Sequence, residues 1–234
     1  MGQVKIILRG GILILLLFLF TGNTEAQKTA GGKSSPRSGT KEDSLQYSLG
    51  VYLGQWIRDN GFTTFDAAQF MSGLEDVYKK QPTRFPDSVV TRLLNEHRQT
   101  FQIAMNRQLE TKLFASIADT PGIKSLSGGM KYLVRRQGTG VRPSASDSVL
   151  ISFKGVLANG AVFEDTYEKK QAVYTTPATL FEGFKNALLE MPAGSLWQLY
   201  IPAAMAYGNT GNGTSIPPGN ALIILVNLIQ VKKN

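Results

Sequence analysis

AAMAYGNTGNGTSIPPGNALIILVNL, residues 203–228, sets a tyrosine among small residues, follows it with a glycine-rich loop and Pro217-Pro218, and closes on a run of branched apolar residues. The run from Ala221 to Val231 predicts a strand. Working back along the chain, Ser195 to Ile201, Ser148 to Leu157 and Met130 to Arg136 are also strand-like. Leu157-Ala158-Asn159-Gly160-Ala161 carries a hairpin turn signal, and Leu180 to Met191 has helical spacing. These elements predict an α+β unit of roughly 105 residues, an antiparallel sheet with one short helix packed on it.

Residues 42 to about 119 read differently. Leu45, Leu49, Tyr52, Leu53, Trp56 and Ile57 recur at helical spacing, and Asn60-Gly61 supplies a left-handed stop. Asp66, with Gln69 three positions on, resembles a capping box ahead of Phe70, Leu74, Val77 and Tyr78. Pro86-Asp87 opens a third helix, whose stripe of Val90, Leu94, Phe101, Ala104, Met105, Leu109 and Leu113 runs to about Ile117, roughly 30 residues or about 45 Å. Pro121-Gly122 ends it, and residues 122–129 read as a hinge. Two short helices are too little to cover so long a partner, which a dimer would solve. Gly50 and Gly54, one turn apart, each cost about 1 kcal/mol relative to alanine, a loss that close helix packing offsets. The alternative is intrachain packing of a small three-helix unit.

The first 26 residues carry Lys5 and Arg9, an apolar run from Gly11 to Phe20, and small residues ending at Ala26, the pattern of a secretory signal. The run is shorter than the roughly 18 residues of a membrane span, so cleavage after Ala26 leaves no stable span; the alternative is an uncleaved anchor. Residues 27–41, rich in Gly, Ser, Lys and Pro, read as a flexible tether. The domain boundaries that follow are 42–125 for the helical region and 126–234 for the α+β unit.

The 234 residues include no cysteine and one histidine, His97, which excludes disulfides, thiol chemistry and a His-Cys metal cluster. No metal or other cofactor is expected, and His97 reads as a surface or packing residue. The net charge of +8 is unevenly placed but forms no dense basic helix, so nucleic acid is not an expected partner.

Further motifs lie in order around the opening stretch: Ser127-Gly128, Gly138-Thr139-Gly140, Ser152-Phe153-Lys154-Gly155, Asn159-Gly160, Val162-Phe163, Met191-Pro192-Ala193-Gly194 and Leu199-Tyr200-Ile201-Pro202. Together they resemble the FKBP-type peptidyl-prolyl cis-trans isomerases over roughly residues 126–232. The preceding helices resemble the macrophage-infectivity-potentiator-like branch of that family. The resemblance implies a half-barrel sheet wrapped on one helix, an N-terminal dimerisation and chaperone domain, and a long helix carrying each catalytic domain outward. It also implies a periplasmic protein whose partners are proline-containing unfolded or nascent exported chains and a second copy of itself.

Prolyl isomerisation breaks no bond and moves no proton. The rotation barrier of about 18–20 kcal/mol comes from amide resonance. A dry apolar pocket destabilises the planar, charge-separated amide, and contacts that fit the twisted form lower the barrier differentially. Aromatic and aliphatic walls are therefore the expected machinery. By resemblance the catalytic residues are Phe163, Tyr207, Glu164 and Phe184, and the substrate-binding residues are Phe153, Val173, Leu180, Phe181, Ile216 and Ile224. Phe163 would pack on the proline ring, the Tyr207 hydroxyl would hold a substrate carbonyl, and the Phe181 backbone N–H would orient the chain.

Several positions depart from the family pattern. Phe184 stands for a tryptophan, Glu164 for an aspartate, Phe153 for a tyrosine, Val173 for an aromatic, Ile224 for a phenylalanine and Lys169 for an arginine. Each lost aromatic contact forfeits about 0.5–1.5 kcal/mol, roughly twofold to tenfold in rate, so weak activity and weaker macrolide binding are expected. Phe153 lacks the hydroxyl that would pair with Glu164. Two functions follow: a prolyl isomerase that speeds folding of exported proteins, and, as the alternative, a dimeric holdase whose isomerase-like domain is mainly a peptide-binding module. Deleting residues 42–119 would separate them if each domain carries one activity.

Overall fold

The computed structural model describes residues 40–234; the expected signal and nearly all of the expected tether lie outside the described residues. The chain divides into two units after Ser48, part-way along its first helix. That helix, α1, spans Lys41–Asp59, and its first turn closes on itself, with Asp43 N–H donating to Thr40 Oγ1 and Thr40 N–H to Asp43 Oδ2. Its far end stops as the Asn60-Gly61 pair predicts. Phe62 N–H reaches Ile57 O at 3.2 Å, Gly61 N–H reaches Arg58 O at 3.0 Å, and Gly61 takes φ +80°. This is a Schellman cap, and the left-handed angle favours glycine. The Phe101 ring also lies where a Gly61 side chain would go.

Helix α2 spans Ala67–Tyr78 and is capped by the Asp66 carboxylate, which accepts from Ala68 N–H and Gln69 N–H at 2.9 and 3.1 Å. Helix α3 runs Asp87–Ile117, the long helix its periodicity predicts. His97 packs its ring on Phe62, with centroids 4.1 Å apart. None of the residues of α1 or α2 is buried, and Asn106 and Ile117 are the buried residues of α3.

The remainder is one antiparallel sheet: β1 (Ile123–Ser125), β2 (Lys131–Arg136), β3 (Ser148–Leu157), β4 (Val162–Asp165), β5 (Val173–Thr175), β6 (Leu196–Ile201) and β7 (Leu222–Lys232). The order is β1-β2-β6-β7-β3-β4, with β5 also on β3. β7 pairs with β3 from Leu157↔Leu222 to Ser148↔Lys232 and with β6 on its other edge. Alternation puts Leu222, Ile224, Val226 and Leu228 on one wholly buried face. Helix α4 (Glu182–Glu190) lays Phe184, Ala187 and Leu188 into that core. The expected hairpin forms at residues 157–161, where Gly160 has φ +90° and Leu157 N–H bonds to Ala161 O at 2.8 Å.

The structure corrects the hinge reading of residues 122–129. Ile123 to Ser125 add a strand to β2, and Ser127 to Gly129 form a 3-10 turn, so much of this segment belongs to the sheet. β4 and β5 add to the expected strands; three or four residues hold too few repeats to show a period in the sequence.

Asp147 fastens the residues after β7 to the loop ahead of β3. Its carboxylate, 2% exposed, accepts from Lys233 Nζ at 2.7 Å, Ser144 N–H at 2.6 Å and Asn234 N–H at 3.2 Å. Lys233 and then the Ser144 amide hold this carboxyl well below the usual range. An unfolded Asp titrates at about pH 3.9, so these bonds contribute fully above that pH and their contribution drains away as pH falls toward the lower folded value. Asp147→Asn is expected to melt below the wild type at pH 7 and to lose less further stability between about pH 4.5 and 2. Equal acid slopes in thermal scans of the two proteins would refute this.

Candidate active site

The site is built where β3, β4, the start of α4 and the 203–219 loop meet. Phe163 is aimed by an irregularity in the β3–β4 ladder. Gly155 faces Glu164 and the next residue, Val156, faces Val162, so Phe163 is the extra residue of a bulge. The bulge turns its ring over Gly155, where an added Cβ would sit 2.2 Å from Phe163 Cζ. Glycine is needed here for close approach rather than for its backbone angles.

Beside it runs a row of aromatic rings. Phe153, on the inward face of β3, meets Phe184 edge-on at 5.6 Å between centroids. Phe184 lies 5.7 Å from Phe181, and Phe181 lies 5.1 Å from Tyr207. Such separations suit aromatic pairs. Phe181 is the N-cap residue of α4, a position whose N–H no intrahelical bond requires. Leu180, Phe153, Phe163, Phe181 and Tyr207 are partly buried against the core, whereas Phe184 (2% exposed), Ile216 (3%) and Ile224 (0%) belong to it. Ile224 therefore has no exposed surface of its own.

Two candidates stand outside this apolar cluster. Val173 opens β5 and is 40% exposed. The Glu164 carboxylate is held by Lys169 Nζ, which supplies the partner that Phe153 cannot. Glu164 and Lys169 line an open recess of about 380 Å³ with Val162, Phe163, Asp165 and Glu168. Asp165 is held below the usual carboxylate range first by Lys154 Nζ at 2.8 Å and also by the Glu168 and Tyr167 amides.

Two supporting side chains escaped the sequence reading. Thr166 Oγ1 accepts from Phe153 N–H at 2.7 Å and lies 3.1 Å from Phe153 O, locking the strand that presents that ring. Asn212 Oδ1 accepts from Thr214, Ser215 and Ile216 N–H at 3.1, 3.0 and 2.8 Å, shaping the loop between Tyr207 and Ile216. Thr166 has no local signature. Asn212, followed by Gly213, carried a turn signal that could have been read. The loop's own bonds to Tyr207 run to its carbonyl, from Thr210 Oγ1 and Gly211 N–H.

No set of three or more His, Cys, Asp or Glu side chains able to hold a metal ion occurs among the described residues. What the arrangement offers is a half-buried aromatic wall with one phenol at its rim.

Comparison with known proteins gives a consistent result. The family model described as FKBP-type peptidyl-prolyl cis-trans isomerase matches residues 140–229, and that of the domain amino terminal to it matches residues 42–134. The chain is 31% identical over 204 residues to the peptidyl-prolyl cis-trans isomerase Mip of Coxiella burnetii, covering 83% of this chain and 88% of that one. It is 30% identical over 206 residues to the FKBP-type 22 kDa peptidyl-prolyl cis-trans isomerase of Escherichia coli, covering 85% and 99%. The crystal structure of FkpA from Escherichia coli superposes with a TM-score of 0.61 at 24% identity, covering 82% of this chain and 95% of that one.

Proposed function

This chain belongs to the FKBP-type peptidyl-prolyl cis-trans isomerases, and from that premise we propose that Phe163, Tyr207 and the Phe153–Phe184–Phe181 row form the pocket in which it turns X-Pro bonds of exported proteins. The observation that carries the assignment is the Phe163 ring seated on Gly155 at the margin of the same apolar cluster that holds the row. The Phe163 ring packs on the proline and the Phe184 ring underlies it. Removing water from the planar amide raises it toward the twisted form, and the Tyr207 hydroxyl, at the rim, donates to a substrate carbonyl. Glu164, tied to Lys169, braces the β4 side, while Leu180, Ile216 and Val173 bound the groove for flanking residues. Unassisted prolyl isomerisation takes tens of seconds or more, slow enough to limit folding, so even a modest acceleration matters to a client.

The helical region supports a second role beside the first. Leu45, Tyr52, Leu74 and Val77 are 67%, 65%, 46% and 67% exposed in the single chain, and apart from adjoining residues and the backbone of their own helix nothing lies within 4 Å of where a Cβ on Gly50 or Gly54 would be. Apolar faces of this extent favour a homodimer through these helices, with the remaining apolar surface available to unfolded chains. The signal-like first 26 residues point to work beyond the cytoplasmic membrane, and among the described residues no helix is long and apolar enough to cross one.

The test is cis-to-trans exchange of a short X-Pro peptide followed by NMR. The wild type is expected to accelerate exchange, and Tyr207→Phe to lose roughly fivefold to tenfold of that rate, the worth of one hydrogen bond made in the transition state. No acceleration by folded wild-type protein would give the holdase role precedence. Unchanged turnover in the variant would remove Tyr207 from the pocket.

A further inference from the structure

The resemblance implies that helix α3 carries the isomerase domain outward, yet its second half lies against that domain's active-site loop. Ile103, Asn106, Arg107 and Glu110 share one helical stripe, and each meets residues 203–219. Asn106 is 3% exposed, and its Nδ2 donates to Pro218 O at 2.7 Å. Glu110 Oε2 accepts from Ala203 N–H at 2.8 Å, capping the short 3-10 turn Ala203–Met205 just ahead of Tyr207. Arg107 reaches Asn209 Oδ1 at 3.4 Å. Gly219 packs so closely that a Cβ there would lie 3.1 Å from Ile103 Cα.

Within the loop, Gly208 N–H bonds to Ala203 O and Gly219 N–H to Gly208 O, both at 2.8 Å. Four hydrogen bonds, joined by the Pro218–Gly219 peptide and one turn of α3, thus close a ring that runs Glu110, Ala203, Gly208, Gly219, Pro218, Asn106. Tyr207 sits beside Gly208 on that ring, and Ile216 precedes its proline pair. Pro217 and Pro218 have no N–H to give, and their carbonyls are held by side chains: Pro217 by Asn220 at 3.1 Å, and Pro218 by Asn106 from outside the domain. A buried amide spent on one distant carbonyl is costly unless that bond is kept.

We propose that Asn106 and Glu110 are positioning residues for prolyl isomerisation, acting from the helical region to hold the loop that presents Tyr207 and Ile216. The proposal rests on the assignment of those two residues to the pocket. It also means that deleting residues 42–119 would strip the loop of its support as well as removing the helices, so point variants in the full chain are the sharper test.

The experiment compares wild type with Asn106→Leu, Glu110→Ala, Glu110→Gln and Tyr207→Phe, using the tetrapeptide Ala-Leu-Pro-Phe for turnover and amide hydrogen exchange for the loop. Asn106→Leu and Glu110→Ala are expected to lower kcat/KM roughly fivefold or more, since small displacements of positioning groups are costly. Exchange should quicken at Gly208 and Gly219 while the β3–β7 ladder keeps its protection, which separates loop release from global loss of fold. Glu110→Gln retains an oxygen for Ala203 N–H and should recover most of what Glu110→Ala loses. Wild-type turnover in Asn106→Leu and Glu110→Ala, with Tyr207→Phe impaired, would overturn this proposal alone. Undiminished turnover in Tyr207→Phe as well would overturn the pocket assignment and the proposal together.

Discussion

Gly155→Val is expected to remove most of the prolyl isomerase activity, by roughly 10- to 100-fold, while leaving the sheet folded. The substitution suits the strand itself, because valine favours extended backbone and Gly155 lies within β3. The damage falls on the neighbour: a Cβ at this position would stand 2.2 Å from Phe163 Cζ and 2.5 Å from Cε2. The Phe163 ring must swing out, and the half-open recess beside it gives it somewhere to go. Phe163→Ala should reach a similar rate by deleting the ring outright. Because both changes act through one side chain, the double variant should be little worse than either single one. Peptide exchange by NMR and far-UV circular dichroism test this. Full activity in folded Gly155→Val, or additive losses in the double variant, would show that turnover does not depend on the ring's seat over Gly155.

The second large effect is expected at Asn212. Its Oδ1 gathers three backbone N–H groups, and the Ile216 amide among them is partly buried. Asn212→Ala leaves that donor without a partner, a cost of roughly 1–3 kcal/mol. The loss is local, since Asn212 lies between Tyr207 and Ile216, which pack against the core, and none of its bonds belongs to the β3–β7 or β6–β7 ladder. Activity should therefore fall roughly tenfold, more steeply than thermal stability, as the wall between Tyr207 and Ile216 loses its shape. Asn212→Asp keeps an oxygen in place and gives up only the 3.3 Å bond from Nδ2 to Ser215 Oγ, so it should restore the loop. Kinetics and melting curves of the two variants decide the matter; equal losses in both would mean that the acceptor oxygen is not what shapes this loop.

These two residues mark how far the chain could be read in advance. The proline ring's expected neighbours, Phe163 and Tyr207, came from motif resemblance, which carries identity along the sequence and says little about what holds each ring. That Phe163 lies on Gly155 depends on a one-residue bulge, and a bulge reverses which face a side chain takes without leaving a trace in composition. Ile224 took its place in the groove by the same resemblance, and the pleat of β7 puts it wholly within the core.

Period and turn chemistry are local properties, and wherever they governed, the chain was legible unaided. The long helix from Asp87 to Ile117, the Asp66 cap, the Gly61 stop, the 157–161 hairpin and the longer strands all arise from residues within a few positions of one another. The absence of cysteine and the single histidine likewise bounded the chemistry from composition alone. Contacts between distant segments were decided only by the tertiary structure. Asn106 and Pro218 are 112 positions apart, and Glu110 and Ala203 are 93 apart. No spacing rule reaches that far: a polar residue on a helix stripe looks solvent-facing until the fold brings an unsatisfied backbone carbonyl or N–H against it.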